Sequence, residues 1–312
     1  MKWLDKIKNN NFNYARNGRK FMIAPAIILL VGIILFFAVG FNLGLDFTGG
    51  TIIKVNTSET TTKDTITAKM DSYNLKYTIA EERGTNDGSS TFSIKFNVNE
   101  TDDQTNNIIV ELKDYFDDDW ISAESVQAVT SNEKLMSVIW AVLAACVGLI
   151  IYMLFRFKLT AGIATLFALA HDVLMICALM IIFQIEINTS FIAAVLTVIS
   201  YSINNSLVVL DRVRSMEKNN PNNYTLEQIV NKSVNRTLGR CVLTVATTLA
   251  TLITLTVVSI VMNLPTLIQF ALPIILGLIA GTYSSLFLIA PMYRQFETAR
   301  ILSKQRKKTN IH

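Results

Sequence analysis

The sequence predicts an α-helical integral membrane protein with six transmembrane helices and one small α+β domain outside the membrane. Half of the 312 residues are apolar (51%) and only 17% are charged, and the mean hydropathy is +0.39. The apolar residues are gathered in six runs, each about as long as the ~20 residues that a helix needs to cross a bilayer. One sizeable polar stretch, residues 42–133, separates the first run from the others.

The first apolar run covers about residues 21–41. It follows a basic segment, residues 1–20, in which six lysines and arginines are opposed by one acid, Asp5. The apolar core of a signal peptide is shorter than this run. We therefore expect a retained first transmembrane helix with the N-terminal segment in the cytoplasm.

Residues 42–133 are acidic and poor in lysine, with Asp117, Asp118 and Asp119 in a row, as expected of a domain that is translocated across the membrane. Alternating apolar residues predict four strands, and two longer polar segments are compatible with helices. The strands are expected at Thr51–Asn56, Lys76–Ala80, Thr91–Phe96 and Ile121–Val129, and the helices at Thr61–Tyr73 and Asp102–Phe116. This β-α-β-β-α-β order is that of the ferredoxin-like split βαβ pattern.

A second block, residues 134–293, contains the other five predicted spans. They cover about residues 135–155, 159–183, 188–210, 241–262 and 266–293. Positive charges mark the inner side: they lie at Arg156 and Lys158, in a predicted loop at 211–240 and in the tail at 294–312. The turns at 184–187 and 263–265 carry no charge except Glu186. Both termini are therefore predicted to be cytoplasmic.

The fourth span carries polar side chains where lipid disfavours them. On one arc of a helix lie Tyr201, Ser202, Asn205 and Ser206, with Asn204 beside them. Uncompensated polar groups are costly in hydrocarbon, so this face is expected to turn toward other helices or water. Packing between helices and handling of an ion are the two interpretations that these residues leave open.

Three further ionisable residues lie in or beside the spans. His171 and Asp172 stand near the middle of the third span and indicate either an ion or proton route or a buried structural hydrogen bond. Arg240 opens the fifth span from the same cytoplasmic flank as Arg212. It has the length to reach the polar face of the fourth span, although an ordinary arginine of the inner flank is the favoured interpretation.

Two glycine-containing stretches indicate close backbone contacts. In LGLDFTGGT (43–51), just outside the first span, the pair Gly49 and Gly50 before a strand indicates a backbone position that excludes Cβ. Gly277 and Gly281 have the spacing of small residues at a helix–helix contact in the last span.

No cofactor, metal site or enzyme activity is predicted. Cys146, Cys177 and Cys241 lie in or beside apolar runs without metal-ligand spacing. The only histidines are His171 and His312, and no nucleophile–base pair or phosphate-binding loop is present. The basic residues cluster at membrane flanks, which excludes a typical nucleic-acid-binding domain.

The chain resembles the SecF family of the bacterial Sec export machinery, within the RND-type superfamily. The resemblance covers essentially the whole chain and is highly specific, because the combination of DFTGGT with this layout is shared only with the sister family SecD. It is carried by LGLDFTGGT (Asp46, Phe47, Thr48, Gly49, Gly50 and Thr51 among them), RF at 156–157, HDV at 171–173, AAVLT at 193–197, YSIN at 201–204, VV-DR across 208–212, Arg240 with TT at 247–248, and GTYSS at 281–285.

The resemblance implies an RND-type half that pairs with SecD into a twelve-span unit in the bacterial cytoplasmic membrane. That unit is expected to work with the SecYEG channel, with SecA and YajC as further candidate partners, and to draw unfolded preproteins outward late in translocation. In the family, the proton-motive force drives this step through an aspartate in the fourth span and an arginine in the fifth.

The sequence departs from the family at that aspartate. Residues 200–205 are SYSINN where SecF proteins typically have GYSIND, so Asn205, whose amide does not titrate, occupies the carrier position; Arg240 matches the arginine. The tract VQAVTS at 126–131 also departs from the usual VGP-like tract. Three interpretations stay open: coupling is lost, coupling has moved to Asp172 and His171 or to SecD, or Asn205 is an introduced change that fixes one protonation state.

The predicted function is therefore an accessory subunit of protein export. Two alternatives remain. One is a scaffold for SecD or the channel without proton coupling, which the amide of Asn205 favours. The other is an RND-type exporter of small molecules, which the six spans and the single external domain disfavour unless the chain dimerises.

Overall fold

The computed structural model describes residues 13–57, 63–73, 77–83, 90–96, 102–116, 121–126, 157–219, 223–262 and 264–309, together with scattered residues between 136 and 156. In chain order the elements are α1 (Gly18–Phe21), α2 (Ile23–Ala38), α3 (Leu45–Thr48), β1 (Gly50–Thr57), α4 (Lys63–Asp71), β2 (Tyr77–Arg83), β3 (Ser90–Phe96), α5 (Asp102–Phe116), β4 (Ile121–Val126), α6 (Leu159–Ile182), α7 (Thr189–Asn219), α8 (Leu226–Val261), α9 (Pro265–Phe287) and α10 (Ile289–Thr309).

Four helical stretches of the described chain are long and apolar enough to cross a membrane. They are α6, α7, α8 and the stretch Thr266–Lys307, which combines α9 with α10. Helix α2 is apolar but has only 16 residues. In the region of the second predicted span, the described residues between 136 and 156 are helical. Most of the described chain therefore belongs to apolar helices.

The predicted loop at 211–240 is wrong, because most of it is helical. Helix α7 continues to Asn219, and α8 begins at Leu226, where Thr225 and Gln228 form a capping box. A capping box satisfies backbone N–H groups that the first turn leaves free. Hydropathy detects only the part of a helix that lies in lipid, so the polar turns of α7 and α8 beyond the bilayer were missed.

Two predicted span ends also need correction. Helix α2 ends at Ala38 rather than near residue 41, and Gly40 has a φ of 80° that is incompatible with a continuing right-handed helix. The last predicted span, 266–293, is divided at Leu288 between α9 and α10. Pro291 has no backbone N–H and cannot donate to the carbonyl of residue 287, which explains the break.

The polar stretch contains a four-stranded antiparallel sheet of order β2-β3-β1-β4. The central strand β1 pairs with β3 and with β4, for example Ile53 with Ile94 and with Ala123. The apolar core between this sheet and its two helices is contributed by β1, β3, α4 and α5. It consists of Ile53, Val55, Ile66, Met70, Phe92, Ile94, Ile108 and Leu112. Full burial of each large side chain stabilises by about 1.5–3 kcal/mol. The acidic run 117–119 lies outside the described residues.

The membrane helices make a close contact at Gly277. A Cβ at Gly277 would lie 2.5 Å from Cγ2 of Val198 and 2.8 Å from Cδ1 of Ile176, so no side chain larger than hydrogen fits without displacement. Helices α6, α7 and α9 therefore meet with their backbones close together. This is the contact that the spacing of Gly277 and Gly281 predicts.

Candidate functional site

Asp172 on α6 is fully buried among membrane helices, with none of its surface exposed. The hydroxyl of Ser202 on α7 donates to Oδ2 of Asp172, and Nδ1 of His171 lies 3.1 Å from Oδ1. Gly281 on α9 closes the third side, because a Cβ there would lie 3.5 Å from Oδ2. The carboxyl group is thus enclosed by three helices and has a hydrogen-bond partner on each oxygen.

Buried hydroxyl groups continue from Ser202 toward the C-terminal end of α7. The Ser206 hydroxyl donates to the backbone oxygen of Ser202 at 2.7 Å and lies 3.2 Å from Oγ of Ser285. Both Ser206 and Ser285 are fully buried. These two hydroxyls therefore bond to each other and to the helix backbone, and no hydrogen bond among the described residues joins them to the hydroxyl of Ser202.

His171 gives the cluster a second titratable side chain. Its Nε2 atom is buried and has no hydrogen-bond partner among the described residues, while 14% of the side chain is exposed. An imidazole can release a proton from one nitrogen and take one up at the other. Nδ1 of His171 therefore lies within hydrogen-bond distance of a buried carboxyl group.

Asn205, one turn from Ser202, lies in a different environment. Only 3% of its surface is exposed, and its Nδ2 atom has no partner within the described chain. Arg240 is exposed and lines a cavity beside the C-terminal half of α7 and the N-terminal half of α8. In the part of the chain that the structure describes, no hydrogen bond joins Asn205 and Arg240.

The other polar residues of α7 divide between its faces. Ser202, Asn205 and Ser206 are buried, and Tyr201 is half-buried with its hydroxyl 3.1 Å from Oγ1 of Thr248 on α8. Asn204 is exposed. Sequence periodicity placed four of these residues on one arc but could not tell which helix each would contact.

The DFTGGT motif joins the start of the sheet-containing segment to the membrane helices. Oδ2 of Asp46 accepts hydrogen bonds from the backbone N–H and the hydroxyl of Thr189, the first residue of α7, at 2.8 and 2.6 Å.

Gly49 and Gly50 have φ values of 73° and 149°, which glycine adopts readily and other residues do not. Phe47 packs against the apolar core of α6, α7 and α9. Thr48 donates to the backbone oxygen of Gly44 at 3.2 Å.

A second contact between the sheet and the membrane helices was not singled out from the sequence. Nζ of Lys95 on β3 lies 3.2 Å from Oε1 of Glu186 in the α6–α7 turn, and Nε2 of Gln269 donates to Oε2 of Glu186 at 2.9 Å. The one available signal was that Glu186 is the only charge in that turn. The sheet is thereby joined to the helix pair that carries Asp172 and Ser202.

Comparisons with known proteins agree with this architecture. Residues 107–299 match the family described as "Protein export membrane protein SecD/SecF, C-terminal", and residues 34–61 match the "SecD/SecF GG Motif". The chain is similar to "Protein translocase subunit SecF" of Petrotoga mobilis, with 30% identity over 308 residues, 96% of this chain and 98% of that protein.

Two longer proteins are similar over part of their length. "Protein translocase subunit SecDF" of Bacillus subtilis is 30% identical over 90% of this chain and 38% of its own. The crystal structure of SecDF from Thermus thermophilus, described as a translocon-associated membrane protein, gives a TM-score of 0.76 at 28% identity over 93% of this chain. The chain covers 39% of that SecDF chain. It therefore matches SecF proteins over nearly their whole length and SecDF proteins over less than half.

Proposed function

Because the chain belongs to the SecD/SecF family of protein export membrane proteins, we propose that it is the SecF-type accessory subunit of a Sec protein translocase. The match with SecF proteins over nearly their full length carries this proposal. The subunit promotes late movement of unfolded preproteins across the cytoplasmic membrane. In this role it has no enzymatic chemistry of its own.

The proposed architecture is six transmembrane helices with a ferredoxin-like domain outside and both termini in the cytoplasm of a bacterial cell. It is supported by the four long apolar helices, the shorter α2 and the helical residues between 136 and 156. The strand order β2-β3-β1-β4 supports the ferredoxin-like assignment. The basic tail of α10 supports a cytoplasmic C-terminus.

The proposed partner is a SecD-type half that packs on α7 and α8. Asn204 on α7 is exposed and has no hydrogen-bond partner among the described residues, although it lies seven residues, about 10 Å, from Asp211 at the inner flank. An unpaired amide is costly in lipid. In the most apolar window of α8 only 11% of residues are buried, against 50% for α6 and α7, so this surface has room for another chain. SecYEG, SecA and YajC are proposed as further partners from the family resemblance.

We place the proton-carrying step at Asp172 rather than at Asn205. A carboxyl group binds and releases a proton, whereas an amide does neither. Asp172 is joined to Ser202 and His171 inside the helix bundle, and intramembrane ionisable residues of this kind commonly serve ion pathways. Protonation of Asp172 changes what its oxygens can accept and therefore alters the contact between α6 and α7.

The outer turn of α6 and α7 offers a route from that contact to the outer domain. Glu186 forms an ion pair with Lys95 of β3, and Thr189 donates a hydrogen bond to Asp46 of the DFTGGT motif. A small movement of α6 against α7 would therefore shift the sheet directly. This coupling turns a proton-dependent change in the membrane into movement outside it.

The export function is tested by depletion. In a strain without this chain and its paralogues, we expect preproteins to accumulate at a late stage of translocation, with release slowed in a pulse-chase experiment. Complementation by the wild-type chain should restore the rate. Unchanged export kinetics after depletion would contradict the proposal.

The position of the proton step is tested by Asn205→Asp beside Arg240→Ala. We expect both variants to keep the dependence of export on the proton-motive force, measured in inverted vesicles with and without an ionophore. If Asn205→Asp strengthens that dependence and Arg240→Ala abolishes it, the step belongs to the fourth and fifth spans.

A scaffold role without proton coupling is the second candidate function, because Asn205 replaces the family's aspartate. The scaffold role predicts that an ionophore has the same effect on export with or without this chain. It also predicts that substitution of Asp172 changes export only through protein abundance.

A further inference from the structure

A cavity of about 810 Å³ opens at the cytoplasmic end of α7 and α8. Four arginines line it: Arg156 at the turn before α6, Arg212 on α7, and Arg236 and Arg240 on α8. Among the described residues of its lining, Asp211 is the only acidic one. Four guanidinium groups against one carboxylate leave an excess of three positive charges around the cavity.

These charges are poorly compensated by the protein itself. Oδ1 of Asp211 lies 3.5 Å from Arg156, and both side chains are about half exposed, a geometry that contributes little. Nε of Arg212 is buried without a hydrogen-bond partner among the described residues. Arg236 and Arg240 have no ion pair in the described chain. A buried guanidinium nitrogen without an acceptor is unfavourable, so an anionic group in this cavity would satisfy it.

The chemistry of the cavity favours a phosphate group. Guanidinium groups bind phosphate oxygens through paired N–H donors, and several arginines can surround one phosphate. The cavity also has an apolar wall formed by Leu207, Val208 and Tyr152. Leu207 and Val208 are only half-buried and lie on the part of α7 that leads into the membrane.

From this combination we infer that the cavity lined by Arg156, Arg212, Arg236 and Arg240 is a binding site for the phosphate group of an anionic phospholipid of the inner leaflet. The arginines hold the phosphate at the level of the headgroups. The acyl chains lie along Leu207 and Val208 of α7. The site is separate from the Asp172 cluster, whose residues do not line this cavity.

The test measures lipid binding to the purified full-length chain in detergent micelles by native mass spectrometry. Phosphatidylglycerol and cardiolipin are titrated against phosphatidylcholine, and inorganic phosphate is added in a parallel series. We expect the anionic lipids to bind at least about tenfold more tightly than phosphatidylcholine. Binding should weaken as the salt concentration rises.

Two variants examine the site itself. Arg236→Gln and the double variant Arg212→Gln, Arg236→Gln should each lower the affinity for phosphatidylglycerol, the double variant by about tenfold or more. Lys304→Gln together with Arg306→Gln is the matched control, because it removes the same charge from exposed residues of α10 that do not line the cavity. The control should change the affinity less than twofold. Unchanged elution in size exclusion verifies that each variant is folded.

Four outcomes overturn the inference. Equal affinity for phosphatidylglycerol and phosphatidylcholine would exclude a phosphate site for anionic lipid. Equal loss in the cavity variants and the α10 control would show attraction by general surface charge. Loss of lipid binding in a purified complex with the SecD-type half would assign the cavity to an acidic segment of that partner. Displacement of the lipid by millimolar inorganic phosphate would identify free phosphate as the source of the bound group.

Discussion

Asp172 and Asn205 are both buried polar residues of the membrane helices, yet their surroundings differ completely. Asp172 has a hydroxyl donor and an imidazole on its two oxygens, whereas Nδ2 of Asn205 has no partner within the described chain. The buried ionisable group is therefore the one that the fold supports with hydrogen bonds. The amide one turn from Ser202 occupies a position that the rest of the described structure leaves without a complementary group.

The largest expected effect comes from Asp172→Asn. This substitution keeps the size of the side chain but removes the group that binds a proton, so the stimulation of export by the proton-motive force should fall by at least about tenfold. The measurement is preprotein translocation into inverted vesicles with and without an ionophore. Asn205→Ala serves as the matched control in the same assay and should retain the stimulation. Equal losses in the two variants would remove the distinction between the two positions.

Gly281→Leu should disturb the Asp172 cluster without altering any titratable group. Even a Cβ at Gly281 would lie 3.2 Å from Cβ of Ser202, and overpacking of this kind costs about 1–3 kcal/mol. We expect a lower unfolding temperature in detergent and weaker export. Gly148→Leu is the control, because a Cβ at Gly148 has no atom within 4 Å. A stable Gly281→Leu protein would show that the cluster tolerates separation of the helices.

Ser202→Ala should have an intermediate effect. It removes the donor to Oδ2 of Asp172 while leaving His171 in place, and lost hydrogen bonds between membrane helices typically cost about 0.6 kcal/mol. Thermal unfolding in detergent measures the loss. Ser200→Ala is a suitable comparison, since the hydroxyl of Ser200 is exposed and bonds only to the backbone of its own helix. A larger loss in Ser200→Ala would contradict the role of the Ser202 contact.

The smallest change in stability is expected for Asn205→Ala. Removing a buried amide that has no partner relieves its desolvation cost, which offsets the loss of packing, so the free energy of unfolding should change by less than the ~0.6 kcal/mol expected for Ser202→Ala. The same unfolding measurement applies. Destabilisation by several times that amount would reveal a partner for Asn205 outside the described residues. Asn205 would then, like Asp172, be a buried polar residue with a hydrogen-bond partner.

The sequence predicted the elements of the outer domain better than the extent of the membrane helices. The alternation in TIIKVN predicted β1, and the polar segment at 102–116 predicted α5 with the same bounds. The polar turns of α7 and α8 were missed because hydropathy detects only the apolar part of a helix, while helix length also depends on capping and on contacts beyond that part. Of the second predicted span, 135–155, only scattered residues are described, and the six-span topology stays a prediction.

The sequence by itself determined the residue types in each span, the charges that mark the inner flanks and the motifs of the SecD/SecF family. It also identified Asn205 as the place where the chain differs from that family. Only the tertiary structure decided that Asp172 meets Ser202, 30 residues away, and that Asn205 and Arg240 share no hydrogen bond in the described chain. The reason is physical: periodicity defines the face of a helix, but which helix packs on that face depends on long-range contacts. Here the close approach of α9 at Gly277 and Gly281 allows these contacts.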